Sequence, residues 1–208
     1  PSTVRGRGPA RQVRRMVRDA KGQKMSKSKG NVISPLDVSK EFGTDALRMG
    51  LVVGNTPGTD LNLDPRKIGA YKKFANKVWN ITRFVLENVK DGDLTTSITK
   101  AEADETLMKE FATFKTDVIS DMEHFRFHLA SEKIYHYLWH TFADVIIESS
   151  KPLLSSADAG VRVSRVQTLY TILSESLKLL HPFMPFVTET IWQQLPQKDS
   201  ALLMVSRI

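Results

Sequence analysis

Residues 64–89 read DPRKIGAYKKFANKVWNITRFVLENV, and this stretch decides the fold. Asp64 before Pro65 is a helix start: a short carboxylate able to cap, then a ring whose fixed φ and missing N–H suit the first turn. Ile68, Tyr71, Ala75, Val78, Trp79, Phe84 and Val85 recur at roughly helical spacing as far as Val89. Lys90-Asp91-Gly92-Asp93 ends the run with turn residues. A helix of roughly six turns with one apolar face needs partner helices to cover that face.

The flanks supply them. Upstream, Ser34-Pro35-Leu36-Asp37 gives an N-cap, a Pro at the first helical position and an acid near the capping-box position. That short helix should stop at Gly43. Thr44 reads as a second N-cap, with a helix through about Val53, on which Asp45 and Arg48 are spaced as an i,i+3 ion pair. Asn55 to Asn62 carries turn chemistry and is read as loop. Downstream, residues 94–101 are polar and Thr-rich, and a helix follows near 102–122. His124 to Phe127 reads as a break. The next helix, near 128–150, places Leu129, Ile134, Tyr137, Leu138, Phe142, Val145 and Ile146 on or near one face. Ser155 to Gly160 is loop. A helix near 161–180 ends at His181-Pro182, and Pro185 starts a last one through Leu195. No strand of more than four residues and no internal repeat is evident. The expected fold class is all-α, an antiparallel helix bundle preceded by a mostly irregular basic segment.

Composition bounds the rest. The chain has 208 residues, 41% hydrophobic and 25% charged, which suits one large globular domain or two small ones. It contains no Cys, so neither a disulfide framework nor a thiolate metal site is available. No apolar run approaches ~20 residues, and the N-terminus has no apolar signal-peptide core, so no membrane partner is expected and a cytoplasmic location is the default. The start at Pro1 suggests an excised piece. The net charge of +7 invites a nucleic-acid reading. Its placement refines that: residues 1–30 hold ten Lys or Arg against Asp19 alone, so the rest of the chain is slightly acidic overall. An RNA-binding face beyond residue 30 must therefore be a local patch.

Lys24-Met25-Ser26-Lys27-Ser28 is the stretch richest in chemistry. Gly22 and Gly30 flank a small loop bearing two ammonium groups three residues apart. Such a loop can close over a polyphosphate and neutralise charge that develops in a transition state. Charge alone favours the plainer reading, a solvated basic loop.

The letters and their order say more. KMSKS followed by Gly30-Asn31 resembles the signature loop of class I aminoacyl-tRNA synthetases. Asp19-Ala20-Lys21-Gly22-Gln23 before it, and Gly43-Thr44-Asp45-Ala46-Leu47-Arg48 after it, resemble the isoleucine, valine and leucine group. Asn55 to Asp60, Phe74-Ala75-Asn76-Lys77-Val78-Trp79-Asn80 and Thr82-Arg83-Phe84-Val85 look like the valyl-tRNA synthetases among them. Lys178 to Glu189 also matches the group. The resemblance covers residues 17–208. It implies ATP-dependent attachment of valine to tRNA(Val), with valine, ATP and Mg²⁺ used by the full-length enzyme and no cofactor held by this piece alone. The family's His-x-Gly-His is absent: His124, His128, His136, His140 and His181 stand in other contexts. The piece alone is therefore expected to be inactive. The Arg- and Gly-rich residues 4–16 do not read as the strand the family runs into its loop, and they suggest a non-native or rearranged leader.

By the same resemblance, Lys24 and Lys27 hold the ATP phosphates, with Met25, Ser26 and Ser28 shaping the loop. Residues 1–16 form the leader, 17–62 the end of a catalytic domain with connecting helices, and 63–208 a helical anticodon-binding domain. Candidate tRNA contacts are Arg66, Asn76, Lys77, Trp79, Asn80, Arg83 and Phe84, because unpaired bases stack on aromatic and Arg planes. Arg83 and Phe84 point about 100° apart, so one can face the bundle and the other solvent. Trp79 reads first as core, because Trp is large and mostly buried, and Phe84 reads equally as core or contact. Lys72 and Lys73 read as phosphate contacts or solvated charge. His124/His128 and His136/His140 have i,i+4 spacing, but no HExxH completes either pair; partly buried histidines and no metal are expected. A monomer is expected. The rival readings are an isoleucyl enzyme piece and a non-catalytic helical protein-interaction module.

Overall fold

Ser34 and Asp64 start their helices as the sequence predicts. The Ser34 hydroxyl accepts from the Asp37 amide at 3.4 Å, and the Asp64 carboxylate accepts from the Arg66 amide at 2.9 Å. Both caps place Pro at the first helical position, where its missing N–H costs nothing. The computed structural model describes residues 16–55 and 59–208. The leader through residue 15, and Thr56-Pro57-Gly58 of the expected loop, lie outside the described residues.

In order, the chain forms β1 (Val17–Arg18), α1 (Pro35–Phe42), α2 (Thr44–Val52), β2 (Leu61–Asn62), α3 (Pro65–Asn88) and α4 (Glu102–Glu123). Then come α5 (Phe127–His136), a π-helical segment (Tyr137–Ile147) that runs on into α6 (Glu148–Leu154), α7 (Ala159–Leu180) and α8 (Pro185–Trp192). The all-α reading holds. The two short strands pair in parallel, Val17 with Leu61 and Arg18 with Asn62. They fasten the start of the described chain to the approach to α3.

The main core runs through the bundle. It joins Phe74, Val78 and Val85 of α3, Phe111 and Val118 of α4, Ile134, Leu138 and Phe142 of the long middle helix, and Leu173, Leu177 and Leu180 of α7. Trp192 of α8 and Met49 of α2 close its ends. A second, smaller cluster joins Val38, Ala46, Leu47, Leu63 and Ile68, with Met25 and Phe42 packed on it. Among the described residues, no helix is long and apolar enough to cross a membrane.

Several local expectations are corrected. Thr44 is the first residue of α2 rather than its cap; Gly43 holds the cap position at φ 93°, and the Thr44 hydroxyl bonds the Ser39 hydroxyl at 2.7 Å instead. Asp45 and Arg48 do not pair, as described below. The middle helix continues past residue 150 to Leu154, with Pro152 inside its last turn. α7 begins at Ala159 because Asp158 accepts from the Gly160 and Val161 amides. α8 ends at Trp192, three residues before Leu195, and the chain turns there. Leu129 and Val145, placed on the core face by periodicity, are 37% and 61% exposed.

Candidate functional site

The KMSKS loop is held by two side chains outside the five letters. Asp19 Oδ1 accepts from the amides of Lys21 at 2.9 Å and Gln23 at 2.8 Å, closing the turn that carries Gly22 at φ 74°. Asp19 Oδ2 accepts from Asn31 Nδ2 at 2.9 Å, across the whole loop. Asn31 also donates to the Lys24 carbonyl at 3.3 Å and accepts the Ser26 amide on Oδ1 at 2.9 Å. The bond from Asn31 leads the causes that hold the Asp19 carboxyl below its ordinary range. Met25 packs on the small apolar cluster. Ser26 and Ser28 share a hydroxyl contact of 3.2 Å. Lys27 to Lys29 form one 3₁₀ turn, closed by Gly30 in the left-handed region at φ 64°. Lys24 and Lys27 remain exposed, with their ammonium groups free of ion pairs among the described residues. The result is a fixed backbone carrying two cations available to an anion.

The loop's stem is tied to the body. Arg18 Nε meets Asp60 Oδ2 at 2.5 Å, and Asp60 Oδ1 accepts the Met16 amide at 3.2 Å. Arg18 also donates to the Gly22 carbonyl at 3.2 Å.

Helix α2 links this loop to the far end of the chain. Asp45 is buried and caps α8: its carboxylate accepts from the amides of Phe186 at 3.2 Å and Val187 at 2.7 Å. Arg48 donates to the carbonyls of Pro182 at 2.8 Å and Phe183 at 3.3 Å. The acid therefore sits on exposed helix N–H groups and the base on carbonyls just before them, as the local dipoles require. An inter-element clamp replaces the expected i,i+3 pair. The sequence gives no signal for this, because the partners lie more than 130 residues away.

Helix α3 carries the candidate RNA face. Asn76, Trp79, Asn80 and Arg83 are exposed, while Phe84 is half-buried against the main core. Arg83 and Phe84 thus divide as their 100° separation requires. Trp79 is 38% exposed and is not core. With Phe42, Lys72, Asn76 and Phe186 it lines a cleft of about 410 Å³. Arg83 lies 3.6 Å from Glu87, an exposed i,i+4 pair. Such a pair is worth about 0.3–0.5 kcal/mol, less than one stacked base at about 1–3 kcal/mol, so it does not hold Arg83 back from a ligand.

The remaining candidates are dispersed. Lys77 is half-buried, bonds Asp144 at 3.0 Å and lies 5.8 Å from the Trp139 ring centre. Arg66 is exposed but bonded to Asp64 in the first turn of α3. It stands about 25 Å along the axis from Arg83, at 1.5 Å per residue, so one base cannot touch both. Lys72 donates to the Glu41 carbonyl at 3.0 Å and so helps seat α1. Of the histidines expected to be partly buried, His128 is so and His124 is exposed. His136 and His140 are exposed rather than partly buried, with rings stacked 5.6 Å apart; each has an acid of its own helix nearby, Glu132 at 4.0 Å and Asp144 at 3.7 Å.

Comparison with known proteins follows these two regions. Residues 4–64 match the family model described as tRNA synthetases class I (I, L, M and V), and residues 104–205 match that of the anticodon-binding domain of tRNA ligase. The chain is 43% identical to the valine--tRNA ligase of Thermotoga maritima over 185 residues, 88% of this chain and 21% of that protein. It is also 43% identical to the valine--tRNA ligase of Syntrophotalea carbinolica over 199 residues, 93% of this chain and 22% of that protein. The chain thus spans about a fifth of the length of these relatives. Its fold is similar to that of Mycobacterium tuberculosis methionyl-tRNA synthetase bound by methionyl-adenylate (TM-score 0.70, 23% identity, 88% of this chain and 37% of that one). It is similar too to Agrobacterium radiobacter K84 LeuRS in its ternary complex with tRNA and LeuAMS (TM-score 0.68, 23% identity, 91% of this chain and 22% of that one).

Proposed function

The chain belongs to the class I aminoacyl-tRNA synthetases, and from that premise we propose that it supplies a valine–tRNA ligase with its ATP-phosphate loop and its anticodon-binding helices. The observation that carries the reading is the pairing of a fixed KMSKS loop with a helical body in a chain whose valine--tRNA ligase relatives match it over 88% and 93% of its length. The domains follow: residues 17–62 as the end of the catalytic unit, residues 63–208 as the helical tRNA-binding unit.

In valine activation the valine carboxylate attacks the α-phosphorus of ATP and pyrophosphate leaves. Negative charge grows on the leaving group, and the ammonium groups of Lys24 and Lys27, borne on a fixed backbone, neutralise it. Met25 anchors the loop through its apolar contact, and Ser26 and Ser28 shape its turn. Mg²⁺ would arrive on the nucleotide; Asp19, the loop's carboxylate, is already filled by two amides and an Asn side chain. The His-x-Gly-His that completes the family's ATP site is not in these 208 residues. The chain by itself is therefore read as a monomeric tRNA-binding piece without catalytic activity, and no cofactor stays bound to it.

For tRNA(Val), Arg83 and Phe84 offer a guanidinium plane and a ring edge at the solvent boundary of α3, with Asn80 one turn before Phe84. Asn76 and Trp79 extend the same side toward α2. Arg66 and Lys77 would add contacts farther from that centre, Lys77 only after releasing Asp144. Replacing Arg83 by Ala is expected to weaken tRNA(Val) binding about tenfold, measured by fluorescence anisotropy at fixed salt. Phe84→Ala should do the same. Unchanged affinity in Arg83→Ala, with its melting temperature also unchanged, would remove this face from the reading.

A further inference from the structure

We propose that Asp19 and Asn31 are positioning residues that hold the KMSKS backbone in the shape that aims Lys24 and Lys27 at one anion. The inference rests on the phosphate reading of the loop given above. It adds two side chains that bond neither the phosphate nor the ammonium group of Lys24 or Lys27.

The chemistry demanded at position 31 is specific. One side chain must donate to a carboxylate oxygen and to the Lys24 carbonyl, while accepting the Ser26 amide. Among residues of this size, only an Asn amide offers both functions in one plane. Aspartate would lose the donor and face Asp19 as a second negative charge. Leucine has a similar shape and offers neither function. Position 19 must accept three donors at once: the amides of Lys21 and Gln23 and the Asn31 side chain. An ionised carboxylate does this well, since it is acceptor-only with about four lone-pair sites. Together the two side chains join the entry turn, the Lys24-Met25-Ser26 backbone and the exit at residue 31. Met25 fastens the same segment from the apolar side. Lys24 and Lys27 carry flexible stems on an immobilised base, so less order is lost when an anion binds.

The test uses the whole chain and inorganic pyrophosphate as probe. Binding is read at the Lys24 and Lys27 amide resonances by NMR titration, and loop order by hydrogen exchange at the Ser26 amide. Wild type should show a weak, roughly millimolar interaction that Lys24→Ala or Lys27→Ala removes. Asn31→Leu and Asn31→Asp should each weaken it about fivefold and speed Ser26 exchange, leaving the melting temperature of the bundle unchanged. If pyrophosphate binding does not depend on Lys24 and Lys27, the phosphate reading falls and the inference falls with it. If binding depends on both lysines but Asn31→Leu binds like wild type, the positioning role alone is overturned.

Discussion

Asp45 and Arg48 stand one turn apart on a short helix, and neither does what that spacing suggests. Each reaches the backbone beside α8, where a buried carboxylate satisfies two amides and a guanidinium satisfies two carbonyls. Helix caps of this kind contribute about 1 kcal/mol, so Asp45→Ala should destabilise the chain by about that amount in a urea denaturation. An ordinary surface ion pair would give a few tenths. The difference also shows what residue-level reading can reach. Ser34 and Asp64 were legible as caps because their partners lie two or three residues away. Asp45 was not, because its partners come from the other end of the chain. The same holds at the loop. Its five letters identified the lysines, but Asn31 entered only as a motif letter, and its bond to Asp19 spans twelve residues. Trp79 departed from its expected place for a different reason: periodicity put it near the apolar face, and the cleft beside Phe42 and Phe186 leaves it uncovered.

At the scale of elements, helix starts were legible and one helix's face was not. From Tyr137 to Ile147 the middle helix takes up i→i+5 bonding. More residues then fill each turn, so the three-residue step from Phe142 to Val145 swings Val145 out of the core while Ile146 and Ile147 both enter it. A 3.6-residue period cannot foresee this, because nothing in the local letters announces the change of winding. The energetic contrast is testable. Phe142 is fully buried, and Phe142→Ala should cost about 3–5 kcal/mol. Val145→Ser should fall within about 0.5 kcal/mol of wild type in the same denaturation series. Comparable losses at both positions would restore the straight α-helical face. The break before this helix is also sharp: Phe125 adopts φ 57°, and the Arg126 amide and guanidinium both return to Asp121.

Across the whole molecule, buried and half-buried ion pairs stitch loops to helices. Arg162 of α7 makes a bidentate bond to Asp93 in the loop after α3, and Lys178 holds Asp199 of the C-terminal segment at 2.7 Å. Arg162 beside Asp93, and Lys178 beside Asp199, hold those carboxyls below their usual range. The folded chain therefore binds fewer protons than the unfolded one near their ordinary value of 3.8. This contribution to stability is fully present above that value and is lost as pH falls through the lowered folded values. Thermal melts should show it as a loss confined to the acid side of about pH 4. Arg162→Met should remove most of Asp93's share and destabilise the chain by about 3 kcal/mol at neutral pH, because a buried carboxylate loses its partner. The all-α class, the helix order and the family were all readable from the letters. The clamps that join the loop, the bundle and the C-terminal segment were not, since each pairs residues distant in sequence. The function proposed above places tRNA recognition in the helical body rather than in the basic leader. The most direct measurement is a salt titration of binding to tRNA(Val), with the isoleucine tRNA as competitor, on the chain with and without residues 1–15, which leaves the Arg18–Asp60 and Asp19–Asn31 contacts in place. A preference for tRNA(Val) should survive the deletion. Binding that is unselective, steeply salt-dependent and lost with those residues would contradict it.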